Sequence, residues 1–177
     1  MCSRFDFLRP YKLVLVVGPQ RSGTTITARM IAHDLGRTFL DERQVKGPAE
    51  LRMEELPGRR APCVVQCPAW TYCCHRWGGP EVGVVLVRRP VPDILASQQR
   101  IRWTHRCQPG ELARYDLSSG VISQVKYRVW DRQQRRMLGP HGHEIEYHTL
   151  KDHPLWVPPQ RRRNFHAKQT EIGDYRL

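Results

Sequence analysis

The 177-residue sequence has no apolar run long enough to cross a membrane, and the run Leu13–Val17 is too short for the core of a signal peptide. It also has no internal repeat, no low-complexity linker and no paired C-x-x-C spacing among its six cysteines. We therefore predict neither a metal site nor a disulfide scaffold, and we expect free thiols in a reducing compartment. These absences favour a cytoplasmic protein with a single domain over residues 1–177.

Acidic residues are few relative to basic ones, with 17 Asp and Glu against 29 Lys and Arg and a formal charge of +12. Such an excess points to an anionic partner, which includes nucleotides, nucleic acids, sulfated or phosphorylated substrates and membrane surfaces. No helix-turn-helix, zinc-finger or stacking-platform signature accompanies the charge, so nucleic acid is not the expected partner. We expect an anionic nucleotide and a separate acceptor substrate. The segment 159–177 is predicted to be a basic C-terminal extension of the domain.

Three short apolar runs rich in β-branched residues are typical of parallel strands covered on both faces. They are Leu13–Val17, Cys63–Gln66 and Val82–Val87. A further strand is expected at Phe39–Leu40, and the alternating segment Glu144–Leu150 predicts a half-buried one. This spacing of strands between helical patterns predicts an α/β fold: a three-layer domain with a mostly parallel central sheet flanked by helices.

Helical patterns lie between these runs. Apolar residues at helical spacing after the first strand predict a helix that stops at Gly36. A second helix is expected over residues 92–102. A third predicted helix carries one apolar stripe and a basic opposite face, and the stripe consists of Val121, Ile122, Val125 and Val129.

The segment KLVLVVGPQRSGTT joins the first strand to the first helix and lacks an expected lysine. The usual nucleotide-triphosphate loop ends G-K-[S/T], whereas Thr24 stands at the lysine position here and Arg21 lies inside the loop. A glycine-rich turn before a helix presents backbone N–H groups and the positive helix end to an anion. Arg21 adds a planar, permanently charged fork, and three hydroxyls add donors. The predicted anion site comprises Gly18, Arg21, Ser22, Gly23, Thr24 and Thr25.

The loop GPQRSGTT resembles the 5′-phosphosulfate loop of the PAPS-dependent sulfotransferases, whose usual form is G-x-P-[KR]-S-G-T-T. That family has a P-loop fold and transfers a sulfuryl group from 3′-phosphoadenosine-5′-phosphosulfate (PAPS) to an acceptor hydroxyl or amine, with PAP as product. The resemblance places Arg21 at the family's loop cation. The family's proline position is Gln20 in this sequence, and Pro19 lies one residue earlier.

A second segment, VGVVLVRRPVPDILASQQR, resembles the family's 3′-phosphate motif, which is a strand, R-[ND]-P-x-[DE] and a helix bearing a serine. In the family an arginine and a serine eight residues apart bind the 3′-phosphate, and Arg89 and Ser97 have that separation here. Alignment on the R-x-P triplet selects Arg88 instead. Both arginines stay open, with Arg89 preferred, because a strand-end arginine and a hydroxyl on the next helix can converge on one phosphate.

Three further segments resemble the family more loosely. CVVQCPAW is similar to a V-x-K-x-P segment, with Gln66 in place of the lysine. EIEYHTLKDHPLW is similar to a closing Y-E-x-L-x-x-x-P element, in which Tyr147 matches and His148 replaces the glutamate. RRRNFHAKQT falls where the family has a basic loop over the nucleotide, which implies nucleotide contacts from Arg163 and Lys168.

Sulfuryl transfer requires cationic stabilisation of the leaving phosphate oxygen and a general base for the acceptor hydroxyl. The resemblance gives the first role to Arg21, Thr25 and the loop amides, and it implies no metal. In some branches of the family the base is a glutamate after the first helix. Glu42 is the preferred residue in that region and Asp41 the second. More distant candidates are His33 and His105.

The alternative function is that of a P-loop kinase for a small molecule or nucleotide. ITARMIAHDLGRTFLDE also resembles the helix and strand after the phosphate loop in shikimate and nucleoside monophosphate kinases. Against this reading, Thr24 replaces the loop lysine, and the strand ends Gln66 and Arg88 supply no aspartate for Mg²⁺. A non-catalytic nucleotide-binding protein of the same fold also stays open.

Overall fold

The computed structural model describes residues 3–42, 62–100 and 119–157, and the fold is given for those ranges. Their strands are β1 Leu13–Val17, β2 Thr38–Leu40, β3 Cys63–Gln66, β4 Val82–Arg88 and β5 Gly142–Glu146. Their α-helices are α1 Thr24–Leu35, α2 Val91–Arg100 and α3 Ser119–Gln133. Short 3₁₀-helices include Pro68–Tyr72 after β3 and Tyr147–Asp152 after β5, and a π-helical turn, Gln134–Leu138, extends α3.

The five strands form one sheet in the order β2-β3-β1-β4-β5, and every neighbouring pair is parallel. Val16 of β1 lies opposite Gln66, and Val17 lies opposite Leu86 of β4. The predicted α/β class with a mostly parallel central sheet is therefore confirmed. Because all strands run in one direction, their carboxyl ends meet at one edge, where the segments that follow them come together.

Both faces of the sheet are covered, which explains why β1 reads as a continuous apolar run with all five residues buried. Alternate side chains of β1 point to opposite faces. Val16 belongs to a core cluster that contains Ile31 of α1. Leu15 belongs to a second cluster that contains Trp70 and Trp130 of α3. The sheet thus forms the middle layer between α1 on one side and α3 on the other.

Helix α1 begins and ends where the sequence predicts. Gly23 precedes its first residue with φ 105°, and Gly36 follows its last residue with φ 65°, a left-handed conformation that favours glycine. Arg37 N donates to Ala32 O at 2.8 Å, which closes the helix end. The helix therefore has a defined N-terminus directed at the glycine-rich loop.

Helix α3 buries a face that coincides only in part with the predicted apolar stripe. Val121 is 42% exposed, whereas Ile122, Lys126 and Trp130 are buried. Of the predicted stripe, Ile122 is buried, Val125 and Val129 are half-buried, and Val121 alone is exposed. Lys126 can lie inside because its ammonium group has two hydrogen-bond acceptors, which are described with the site below. A lysine thus occupies a position that hydropathy alone assigns to solvent.

Strand β5 is shorter than predicted. It ends at Glu146, and the chain then turns, so the expected strand Glu144–Leu150 stops early. Ile145 and Tyr147 are buried as the alternation predicts, but Thr149 is exposed. Thr149 Oγ1 donates to Glu146 O at 2.8 Å, and such local hydrogen bonds from threonine compete with a strand ladder.

The described cysteines Cys63, Cys67, Cys73 and Cys74 are free thiols. Within the described ranges, none of the helices combines the length and the apolar character needed to cross a membrane.

Candidate anion-binding site at the strand ends

The predicted site residues lie at the carboxyl edge of the sheet, in the segments that follow the strands. The glycine-rich loop follows β1, Glu42 follows β2, Pro68 follows β3, Arg89 follows β4 and Tyr147 follows β5. Ligand sites in open parallel sheets form at this edge because adjacent loops converge there. The site is thus assembled from residues that are far apart in the sequence.

The loop between β1 and α1 has an unusual backbone. Gly18 and Gly23 have φ 145° and 105°, and Arg21 has φ 72° as the one non-glycine with positive φ among the described residues. A Cβ on Gly18 would lie 2.9 Å from Ser22 Oγ and 3.0 Å from Val87 O, so the position requires glycine. Such conformations at a non-glycine residue cost about 1–3 kcal/mol and cluster at ligand sites. The loop directs its amides and the first turn of α1 to one place.

Two polar side chains from the segment around β3 hold the loop. Gly18 N donates to Thr71 Oγ1 at 3.0 Å, and Thr71 Oγ1 lies 2.8 Å from Pro68 O. Gln66 Nε2 donates to Thr24 Oγ1 at 3.1 Å. Gln66 and Thr24, the two residues that replace lysines of related patterns, are therefore hydrogen-bonded to each other and supply no charge.

Arg21, Arg89 and Ser97 lie close together; the sequence pairs Ser97 with Arg89, and in the structure Ser97 accepts a hydrogen bond from Arg21. Arg21 Nε donates to Ser97 Oγ at 3.4 Å, and an Arg89 guanidinium nitrogen donates to Arg21 O at 3.1 Å. Ser97 is buried on the side of α2 that faces the loop. The Arg89 guanidinium lies 4.4 Å from the centroid of the Tyr147 ring, which holds it in position by a cation–π contact.

Arg88, the alternative to Arg89, is turned toward carboxylates. Its Nε donates to Glu144 Oε2 at 2.8 Å, and its terminal nitrogen donates to Asp131 Oδ1 at 2.7 Å. The hydrogen bond to Glu144 raises the pKa of Arg88 despite burial, which acts in the opposite direction. Tyr127 OH receives a bond from Arg89 N and donates to Arg89 O, which fixes the corner after β4. The two neighbouring arginines therefore have different surroundings, and Arg89 is the one at the loop.

Tyr147 packs directly against the loop. A Cβ added to Gly23 would overlap two carbons of the Tyr147 ring. The same ring carries the Arg89 guanidinium on its face. Tyr147 thus couples the loop after β1 to the arginine after β4. The sequence indicates a role for Tyr147 only through the resemblance of its segment to the closing Y-E-x-L-x-x-x-P element.

Lys126 is a site residue that the sequence analysis missed. Its Nζ donates to Gln20 Oε1 at 2.7 Å and to Pro68 O at 3.0 Å, and it lies 5.3 Å from the centroid of the Tyr72 ring. Burial lowers the pKa of Lys126 to about 8, while the charge of Glu42 acts to raise it. The sequence signal for the burial of Lys126 is its spacing: Ile122, Lys126 and Trp130 are four residues apart and therefore lie on one face of the helix.

Asp41 and Glu42 lie directly after β2, with Asp41 half-buried and Glu42 exposed. Burial is the main cause that raises the pKa of Cys67 to about 12, and the charge of Glu42 adds to it. Glu42 therefore lies on the side of the site where β3 ends and Lys126 enters. Thr25 is half-buried in the first turn of α1. The predicted contacts Arg163 and Lys168, and the candidate base His105, lie outside the described residues.

His33, the other distant candidate for the base, lies at the far end of α1, about 13 Å along the helix axis from its first turn. Its Nδ1 is 3.0 Å from Asp34 Oδ1, which is also 3.0 Å from His153 Nε2. Among the described residues these three are close enough together to resemble metal ligands. Leu155 N donates to His153 Nδ1, which leaves the proton on Nε2 directed at Asp34. Hydrogen bonds thus account for the cluster, and His33 is not part of the anion site.

No protein-family model matches the chain, and no curated protein sequence matches it. A solved structure of shikimate kinase from Acinetobacter baumannii, in complex with shikimate, is 19% identical with a TM-score of 0.49 and covers 80% of this chain and 87% of its own. A sugar kinase from Janibacter sp. HTCC2649, solved without ligand, is 17% identical with a TM-score of 0.47 and covers 78% and 87%. Likeness at this level identifies neither a substrate nor a reaction for this chain.

Proposed function

We propose that the chain binds PAPS at the carboxyl edge of its sheet and transfers the sulfuryl group to an acceptor hydroxyl or amine. The convergence of Arg21, Arg89 and Ser97 beside the glycine-rich loop supports this proposal. PAPS carries two separate anionic groups on one nucleoside, so it requires two neighbouring anion subsites. The loop amides with Arg21 form one subsite, and Arg89 with Ser97 forms the other.

The residues of the loop fit such a ligand. The absence of a Cβ on Gly18 lets the loop pack closely against Ser22 Oγ and Val87 O, which holds its backbone in place at the start of the site. Ser22 Oγ is buried and has no hydrogen-bond partner among the residues that the structure describes. An oxygen of a bound phosphosulfate is the kind of acceptor that this hydroxyl lacks. The N-terminus of α1 adds amide donors that favour negative charge.

The proposed roles follow from these positions. PAPS supplies an activated sulfuryl group whose departure leaves charge on a phosphate oxygen. Arg21, Thr25 and the loop amides stabilise that oxygen, because donors fixed in advance need no reorganisation during the reaction. Arg89 and Ser97 hold the 3′-phosphate and thereby set the orientation of the nucleotide. Glu42 accepts the proton of the acceptor hydroxyl, with Asp41 as the second choice for this role.

The second candidate is phosphoryl transfer from a nucleoside triphosphate. One observation favours it: Lys126 brings an ammonium group to Gln20, in a loop whose sequence lacks the usual lysine. Against it, β3 and β4 end in the described ranges at Gln66 and Arg88 and supply no carboxylate for Mg²⁺, so a kinase would have to use Asp41 or Glu42 after β2. A protein that binds the nucleotide without turnover is the third outcome.

The proposal predicts tight binding of PAP, measured by calorimetric titration, and weak binding of ATP with Mg²⁺. We expect a Kd for PAP on the order of 1 μM. Loss of charge-assisted hydrogen bonds of about 1.5–3 kcal/mol in Arg21→Ala should weaken binding about 10- to 100-fold. Lys12→Ala removes the same charge from a residue just before β1, at the opposite edge of the sheet, and should leave the affinity unchanged.

The competing functions give different results in the same titration. Binding of ATP with Mg²⁺ together with indifference to PAP would overturn the sulfotransferase proposal in favour of the kinase. Binding of neither PAP nor ATP with Mg²⁺ would contradict both the sulfotransferase proposal and the kinase alternative.

Glu42→Gln is expected to retain PAP affinity but to slow the release of inorganic sulfate from PAPS, with water as the acceptor. Loss of a general base reduces a rate by about 10²- to 10⁴-fold. Asp41→Asn is the matched control, because it removes the neighbouring carboxylate from the same turn. If Asp41→Asn is slow and Glu42→Gln is as fast as the unchanged chain, Asp41 is the general base. If both variants are as fast as the unchanged chain, neither carboxylate is the general base.

A further inference from the structure

Lys126 is a buried cation, and its two hydrogen-bond acceptors among the described residues are both neutral. Its residue is 1% exposed, and its Nζ donates to the side-chain amide oxygen of Gln20 and to the backbone carbonyl of Pro68. The face of the Tyr72 ring is its third neighbour. An ammonium group inside a protein is unfavourable by several kcal/mol unless its charge is compensated. The neutral partners and the charge of Glu42 compensate it only in part, because burial still lowers the pKa of Lys126.

The position of the ammonium group relates it to the loop. Gln20 lies within the loop, between Gly18 and Arg21, and Pro68 lies two residues beyond Gln66 at the end of β3. Nζ therefore lies between the loop and the β3 end. Gln66 is neutral, and its amide nitrogen donates to Thr24 Oγ1, so it supplies no charge at this place. Helix α3 thus delivers to the loop an ammonium group in addition to the Arg21 guanidinium, at a place where the loop sequence and the β3 segment both lack the lysine of related patterns.

We propose that Lys126 is a binding residue for the anion in the glycine-rich loop and exchanges its hydrogen bond to Gln20 Oε1 for one to an anion oxygen. The bond to Pro68 O stays in place and keeps the ammonium group directed at the loop. When the loop holds no anion, Gln20 Oε1 accepts the hydrogen bond from Lys126 Nζ. The inference rests on the proposed function for the identity of the anion, while the contact itself serves sulfate and phosphate oxygens alike.

Because Lys126 titrates, the inference predicts that the affinity for the anion depends on pH. The groups that face Nζ are Gln20 from the loop, Pro68 and Tyr72 from the turn after β3, Cys67 at the end of β3 and Glu42 after β2. Burial raises the pKa of the Cys67 thiol and of the Tyr72 phenol to about 12, so both are neutral between pH 7 and 9.

Burial lowers the pKa of Lys126 to about 8, so part of the free protein lacks this charge above that pH. A bound anion favours the charged form and raises the pKa of Lys126. Binding at pH 9 must therefore be accompanied by proton uptake, and the affinity must decrease from pH 7 to pH 9.

Calorimetric titration with inorganic sulfate and with PAP tests the inference. The charge of sulfate does not change between pH 7 and 9, and the second pKa of a phosphate monoester is about 6. Titrations at both pH values, in two buffers of different ionisation enthalpy, measure the protons taken up. We expect the unchanged chain to take up a large fraction of one proton at pH 9 and to lose roughly tenfold in affinity from pH 7 to 9.

Two variants separate charge from packing. Lys126→Arg keeps a charge that does not titrate, so its affinity should not fall between pH 7 and 9 and binding should take up no proton. Lys126→Gln keeps a hydrogen-bond donor without the charge, and it should bind about tenfold more weakly at pH 7 with no pH dependence. Thermal unfolding checks that both variants fold. If Lys126→Gln does not fold, the unchanged chain and Lys126→Arg still decide the question.

The outcomes distinguish the inference from the proposed function. Sulfate binding with proton uptake but no PAP binding would contradict the proposed function and support the role of Lys126. PAP binding without proton uptake, and unchanged in Lys126→Gln, would contradict the role of Lys126 and leave the proposed function standing. An unchanged chain that binds neither anion would overturn both.

Discussion

Replacement of Gly23 by alanine is expected to abolish anion binding at the loop and to lower the free energy of unfolding by about 2–5 kcal/mol. Two effects combine at this position. The backbone has φ 105°, which L side chains rarely adopt, and the added Cβ would overlap the Tyr147 ring. The ring cannot move without disturbing Arg89, which lies on its face. A single methyl group thus displaces both parts of the predicted anion site.

Denaturant unfolding and titration with PAP measure the two consequences of Gly23→Ala. Gly36→Ala is the matched control, because Gly36 also has positive φ but an added Cβ there has no atom within 4 Å. Gly36→Ala should therefore lose stability through backbone strain alone, about 1–2 kcal/mol, and keep its PAP affinity. If Gly23→Ala binds PAP as tightly as the unchanged chain, the loop is not the anion site.

The double variant Gly23→Ala/Tyr147→Ala isolates the clash. Removal of the ring makes room for the added Cβ, so stability should recover in part relative to the sum of the two single changes. PAP binding should stay weak, because Arg89 loses the ring that holds it. If the double variant binds PAP as the unchanged chain does, the Tyr147 ring is not needed to hold Arg89 in position.

Local signals in the sequence suffice for the strands next to the loop and for α1. The run Leu13–Val17 and the stop at Gly36 both agree with the structure, because burial on two faces and a left-handed helix end leave residue-level signatures. The spacing of a known motif pairs Ser97 with Arg89, but no signal in the sequence predicts its hydrogen bond with Arg21, 76 residues earlier. Parallel topology then brings the two together without any further local signal.

The spacing of Lys126 between Ile122 and Trp130 indicates the buried face of α3, but its hydrogen-bond acceptors could not be predicted from the sequence, because they belong to distant parts of the chain. Gln20 precedes it by 106 residues and Pro68 by 58. Hydropathy places a lysine in solvent, and only the tertiary contacts of α3 reverse that assignment. The choice between Arg88 and Arg89 could not be predicted from the sequence either. It depends on the pairing of Arg88 with carboxylates of α3 and β5, which no local pattern connects to β4.

Arg89→Ala is expected to remove the preference for a 3′-phosphate while leaving the fold intact. The matched measurement compares PAP with adenosine 5′-monophosphate, which lacks only the 3′-phosphate. The unchanged chain should prefer PAP by about 10- to 100-fold, the value of one or two charge-assisted hydrogen bonds. In Arg89→Ala the two nucleotides should bind equally, because Ser97 alone supplies no charge to the subsite.

Arg88→Ala is the control that the chain itself offers, since it removes the same side chain one residue away. Arg88 pairs with Glu144 and Asp131, so its loss should lower the free energy of unfolding by about 1–2 kcal/mol and leave the preference for PAP unchanged. A reversed result, with the preference lost in Arg88→Ala and kept in Arg89→Ala, would place the 3′-phosphate at Arg88. If both variants keep the preference, neither arginine forms a 3′-phosphate subsite, and the proposed function loses its main support.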